Sequence, residues 1–71
     1  MKSYTVIIEK GPTSYGAYVP DLPGCVAAAE TKDEVLRLIQ EAIEFHLDGM
    51  RLQHHRIPAR RTMATEVLVP A

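Results

Sequence analysis

A chain of 71 residues with 46% hydrophobic content can build one small core and little more, and that hydrophobic share excludes an intrinsically disordered polymer. Its formal net charge of −1 supplies no overall pull toward nucleic acid or an anionic membrane. A single cysteine excludes an internal disulfide and no run approaches the length of a membrane span, so a cytoplasmic protein is expected.

The first element is a strand over Tyr4–Glu9, where Tyr4, Val6 and Ile8 alternate against Thr5, Ile7 and Glu9. The opening residues Met1-Lys2-Ser3 lead straight into it, leaving too few apolar residues for a signal peptide. Lys10-Gly11-Pro12-Thr13-Ser14 is turn-forming and joins this strand in a hairpin to a second one over Tyr15–Val19. Pro20 and Pro23 then bracket a stretch that cannot pair as a central strand, because neither residue can donate to a ladder. In Leu22-Pro23-Gly24-Cys25, Pro23 presets φ at the second turn position and Gly24 can take the positive φ of the third, which is type II turn chemistry. Pro20, Asp21, Leu22, Pro23 and Gly24 are therefore expected to be structural. A third strand follows over Cys25–Ala29.

Thr31-Lys32-Asp33-Glu34 reads as a capping box, in which Thr31 covers the Glu34 amide and the Glu34 carboxylate reaches back to the Thr31 amide. The helix that it opens should run from Lys32 to about Gln53. Val35, Ile39, Ala42, Ile43, His46, Leu47 and Met50 form its core stripe. Leu38, Phe45 and Leu52 recur at heptad spacing beside that stripe and widen the apolar arc beyond what one sheet face covers. This second stripe is expected to contact another subunit or a partner protein, which predicts a homo-oligomer, a dimer or tetramer. Pro58 disfavours helical geometry at Ile57. Ala64–Val69 alternates Thr65, Val67 and Val69 against Ala64, Glu66 and Leu68, which predicts a fourth strand closed by Pro70. The order βββαβ is that of an α+β fold, a small antiparallel sheet with one long helix across a face, and no linker or repeat divides residues 1–71.

Chemical constellations are sparse. The carboxylates lie mainly on the polar helix face, where solvated acids are the ordinary expectation. Cys25 begins a strand after a Pro-Gly turn and reads as a small buried apolar residue. His46 and His54 stand two helical turns apart with no carboxylate on their stripe, which is no metal-ligand spacing; His46 reads as a core or interface histidine. No catalytic, cofactor or metal residue is assigned. Seven of the nine acids lie between Asp21 and Asp48, and Arg51, Arg56, Arg60 and Arg61 crowd the segment after them. Arg56, Arg60 and Arg61 are the weak nucleic-acid candidates, lacking interleaved aromatics or a base-reading motif. Their ordinary reading is a charged loop after the helix.

The block Y-G-A-Y-V-P-D-L-P-G-C over Tyr15–Cys25, followed by E-T-K-D-E-V over Glu30–Val35 and Ile57-Pro58, resembles the HicB antitoxin family. Elements over Tyr4–Glu9, Val19–Cys25, Thr31–Val35 and Ile57-Pro58 match the family pattern, with Val35 where alanine is usual. The resemblance implies a three- to four-stranded sheet with one helix, partly like a double-stranded-RNA-binding domain in layout. It also implies a module that neutralises a HicA-type mRNA-cleaving toxin by covering its active surface. On this reading the matching residues Pro20 to Cys25, Thr31 and Glu34 set a binding surface without being assigned as contacts. Many family members continue into a DNA-binding domain, whereas this sequence runs to Ala71; with the small net charge, direct DNA binding is not expected. The rival readings are a stand-alone oligomer without a toxin and a small nuclease or hydrolase, against which the lack of an acid cluster speaks.

Overall fold

The computed structural model describes residues 2–70. Among these residues the chain forms β1 (Ile7–Lys10), β2 (Tyr15–Tyr18), β3 (Val26–Ala29) and α1 (Lys32–Leu52). The strands form an antiparallel sheet in the order β1-β2-β3, an α+β arrangement. Ile8 pairs with Ala17, which pairs in turn with Ala27. Alternation sends Tyr15, Ala17 and Val19, with Cys25, Ala27 and Ala29, toward the helix. These small side chains on β2 and β3 allow a helix backbone to approach closely, and α1 packs across those two strands without reaching β1.

The helix begins on Thr31, whose hydroxyl accepts from the Glu34 N–H at 3.1 Å, which satisfies one of the orphan donors of the first turn. Among the described residues the reciprocal bond expected from the Glu34 carboxylate is not formed, so only half of the capping box is present. At the other end His54 takes φ +59°, donating its N–H to the Arg51 carbonyl at 3.1 Å while His55 donates to Met50 at 2.8 Å. This pair of bonds is the Schellman arrangement, with histidine where glycine is usual.

The core holds Ala17, Val19, Leu22, Cys25, Val35, Ile39 and Leu47, with Tyr4, Val6, Ile8 and Ile57 packed around it. Leu22, only 1% exposed, enters from the loop between β2 and β3. Two successive turns put it there. Leu22 N–H donates to Val19 O at 3.0 Å and Cys25 N–H to Leu22 O at 3.1 Å, while Val19 N–H donates to Cys25 O at 3.2 Å and closes the hairpin. Gly24 sits at φ +85°, the left-handed region that only glycine enters at no steric cost.

The fourth strand expected over residues 64–69 is not formed. These residues follow an irregular path and are exposed, Leu68 to 98%. The alternating pattern states which side chains share a face, but a strand is stable only when an edge pairs with it, and here the segment reaches none.

Two substitutions test these backbone conformations. Gly24→Val should destabilise by about 1–3 kcal/mol. An added Cβ meets no atom within 4 Å, so the loss comes from φ alone, and thermal denaturation reads it. Relief of the same strain makes His54→Gly stabilising by about 1 kcal/mol, seen as a raised melting temperature.

Candidate interaction surface

The outward stripe of α1 exposes two large apolar side chains on a regular element. A helix of 21 residues is about 31 Å long, whereas the four-residue strands beneath it span about 13 Å. The sheet therefore cannot cover the whole helix. Leu38, nearer the sheet, is half-buried, while Phe45 is 81% and Leu52 82% exposed. Polar residues flank them. Arg37 and Glu41 pair at 3.3 Å and Asp48 and Arg51 at 3.1 Å, all well exposed, so these pairs contribute little to stability.

The segment after the helix is pinned by side chains from earlier in the chain. The Tyr4 hydroxyl donates to Pro58 O and the Thr5 hydroxyl to Thr62 O, each at 2.6 Å. Asp21 supplies the strongest hold: its carboxylate accepts from the Arg61 N–H at 2.9 Å, the Thr62 N–H at 3.0 Å and the Thr62 hydroxyl at 2.9 Å. Led by the Arg61 amide and then the Thr62 amide, these donors hold the Asp21 carboxyl below its ordinary range. Asp21 thus has a role the sequence did not reveal, because its partners lie 40 and 41 residues away.

Of the three arginine candidates, Arg56 and Arg61 line one shallow groove of about 550 Å³ together with Lys2, Ile57, Pro58 and Ala59. Arg60 is not part of that lining. Lys2 was missed by sequence reading, being at the opposite end of the chain with no motif around it.

A sequence profile for the HicB-like antitoxin of bacterial toxin–antitoxin systems matches residues 4–70. The chain belongs to the HicB-like antitoxin family. It is 41% identical to a UPF0150 protein of Thermoplasma acidophilum over 69 residues, covering 96% of this chain and 97% of that one. A UPF0150 protein of Helicobacter pylori is 49% identical over 44 residues, 62% of this chain and 61% of its own length. The "Uncharacterized 14.9 kDa protein in rep-hol intergenic region" of Haemophilus phage HP1 is 40% identical over 55 residues, or 78% of this chain. This HicB-like chain spans only 41% of the phage protein.

The family-matching residues Pro20, Asp21, Leu22, Pro23 and Gly24 make the β2–β3 loop, and Thr31 and Glu34 the helix start. Leu22 and Cys25 are buried in the core. Burial pushes the Cys25 thiol up, away from the thiolate that a nucleophile requires. His46 is half-buried on α1. Among the described residues no three His, Cys, Asp or Glu side chains converge as metal ligands, and no helix is long and apolar enough to cross a membrane.

The Asp21 clasp gives a pH dependence with a definite sign. Its folded-state pKa lies below the unfolded value, so its contribution is complete above about pH 4 and is lost as pH falls through the folded value. Asp21→Ala should release the clasp at neutral pH. Amide exchange at Arg61 and Thr62 should approach that of an unfolded chain, while amides in the middle of α1 stay protected. The parent protein should show the same selective loss in acid.

Proposed function

We propose that this chain is the antitoxin partner of a HicA-type mRNA-cleaving toxin and acts in the cytoplasm by covering the toxin's active surface. The observation that carries this reading is the family match over residues 4–70. The molecule itself is consistent with action by contact rather than catalysis, because its distinctive exposed features are apolar surfaces, not converging reactive groups. The stripe of Leu38, Phe45 and Leu52 is the protein-contact face in this proposal. Phe45 and Leu52 together present two large apolar side chains to solvent, an arrangement that marks interaction sites on small proteins. The free antitoxin is a homo-oligomer, and residues 1–71 act as one HicB-like unit. Arg56, Arg60 and Arg61 serve as a charged loop at the rim, with no base-reading role.

Co-expression of the chain with the open reading frame beside its gene tests the proposal. A tagged antitoxin should capture the neighbouring product and restore growth arrested by it. Phe45→Glu should weaken capture by roughly tenfold or more, since it forces a carboxylate into desolvated surface; isothermal titration measures the loss. Absence of a complex between parent proteins would remove the reading, and full capture by the Phe45→Glu variant would remove the stripe from it. Light scattering of the free Phe45→Glu protein shows separately whether the stripe also joins antitoxin copies.

A further inference from the structure

We infer that residues 64–69 are an exchange strand, which pairs with the outer edge of β1 in a second copy of this chain and closes a reciprocal dimer. Three features of the molecule fit together in this way. The first is a strand without an edge. Thr65, Val67 and Val69 share one face of a run that carries only one charge, Glu66, and Met63, Val67, Leu68 and Val69 are 72% or more exposed. The second is an edge without a strand. In the order β1-β2-β3 the far side of β1 is terminal, and among the described residues no other segment forms a backbone hydrogen bond with it. An exposed edge is a template for a further strand.

The third feature is the space beside that edge. Because α1 lies over β2 and β3, an open groove of about 620 Å³ runs between the helix and residues 2–6, the segment that leads into β1. Tyr4, Val6, Leu36, Ile39, Ile43 and Leu47 supply its apolar lining, with Lys2, Arg51, Glu44 and Gln40 as its polar members. A strand laid beside β1 would turn alternate side chains into this groove, and the Thr65-Val67-Val69 face suits it. β1 itself offers about 13 Å of free edge over Ile7–Lys10, which four of the six residues in the run would fill.

The occupant is a second copy rather than the chain's own tail. Arg61 and Thr62 are held by Asp21 and Thr5, and only Met63 separates this hold from the strand-patterned run. Swinging the run back onto its own edge needs a change of direction within Thr62-Met63-Ala64, which contains no glycine, proline, asparagine or aspartate to make it. The tail instead continues outward. The radius of gyration is 13.9 Å, where a compact chain of this length has about 11 Å. Each copy carries both the donor strand and the acceptor edge, so a two-fold dimer satisfies both at once.

Two measurements on the full chain test the exchange. In a dimer prepared from isotope-labelled and unlabelled copies, isotope-filtered NMR should show contacts from the Val67 and Val69 methyls of one copy to Tyr4 and Val6 of the other. Sedimentation should show V67D/V69D dissociating at concentrations roughly tenfold or more above those for the parent. Its helical circular dichroism should remain unchanged, because the tail takes no part in the protomer core. A parent that stays monomeric at high micromolar concentration overturns the inference. So do contacts from the tail to β1 within one copy, contacts to β3 instead, or an undiminished dimer of the double variant.

Discussion

The loop from Val19 to Cys25 is the constraint from which the rest of the molecule follows. Two turns in succession are closed by three backbone hydrogen bonds, and they leave neighbouring side chains with opposite tasks. Leu22 goes inward to meet Val35 and Ile39, the other large, almost wholly buried side chains. Asp21 goes outward and holds Arg61 and Thr62. A buried leucine of this kind is worth about 2–5 kcal/mol on truncation, against roughly 4–11 kcal/mol for the total stability of a chain this long. One loop thereby fixes the packing of the helix on the sheet and the course of the C-terminal segment. Gly24 in the left-handed region makes the second turn available without strain.

What the sequence revealed and what it withheld divide along a physical line. The three strands and the helix have local signatures, a period of two or of 3.6 and residues that turn or cap the chain, and they stand close to where those signatures put them. Strand β1 pairs from Ile7 rather than Tyr4, because its register with β2 would bring Thr5 opposite Pro20, which has no N–H to donate to a ladder. The missing elements all depend on distance along the chain. No local pattern tells that Asp21 accepts from residues 40 positions later, or that Lys2 shares a groove with Arg56 and Arg61. The fourth strand failed for the same reason: alternation over 64–69 fixes a face, whereas pairing depends on an edge that this segment does not reach.

The stripe of Leu38, Phe45 and Leu52 was legible as a heptad repeat, yet its division into one half-buried and two exposed residues was not. That division comes from geometry. Phe45 and Leu52 lie on the face turned away from the core, since Leu47 beside them on the helix is only 8% exposed, and a small sheet leaves that outer face of a long helix uncovered. Short strands also place α1 over β2 and β3 only, where alanine and glycine allow close approach, and leave a groove open between the helix and residues 2–6. Both open surfaces thus arise from the same mismatch between one long helix and a small sheet.

This mismatch bears on how a HicB-like chain works. Among the described residues seven form the buried core, too few to make the protomer strongly stable alone. Whatever binds the folded form adds stability by mass action, about 2.7 kcal/mol at a hundred times the dissociation constant, which is a large share of the total for so small a domain. Covering the open surfaces therefore does two things at once: it removes apolar area from water and it draws the population toward the folded state. A chain that functions by contact needs no reactive side chains for this, only surfaces left uncovered by its own fold. The Val19–Cys25 loop anchors the helix through Leu22 and the Asp21 clasp sets the course of residues 61 and 62, so much of this ordering is complete within the protomer itself.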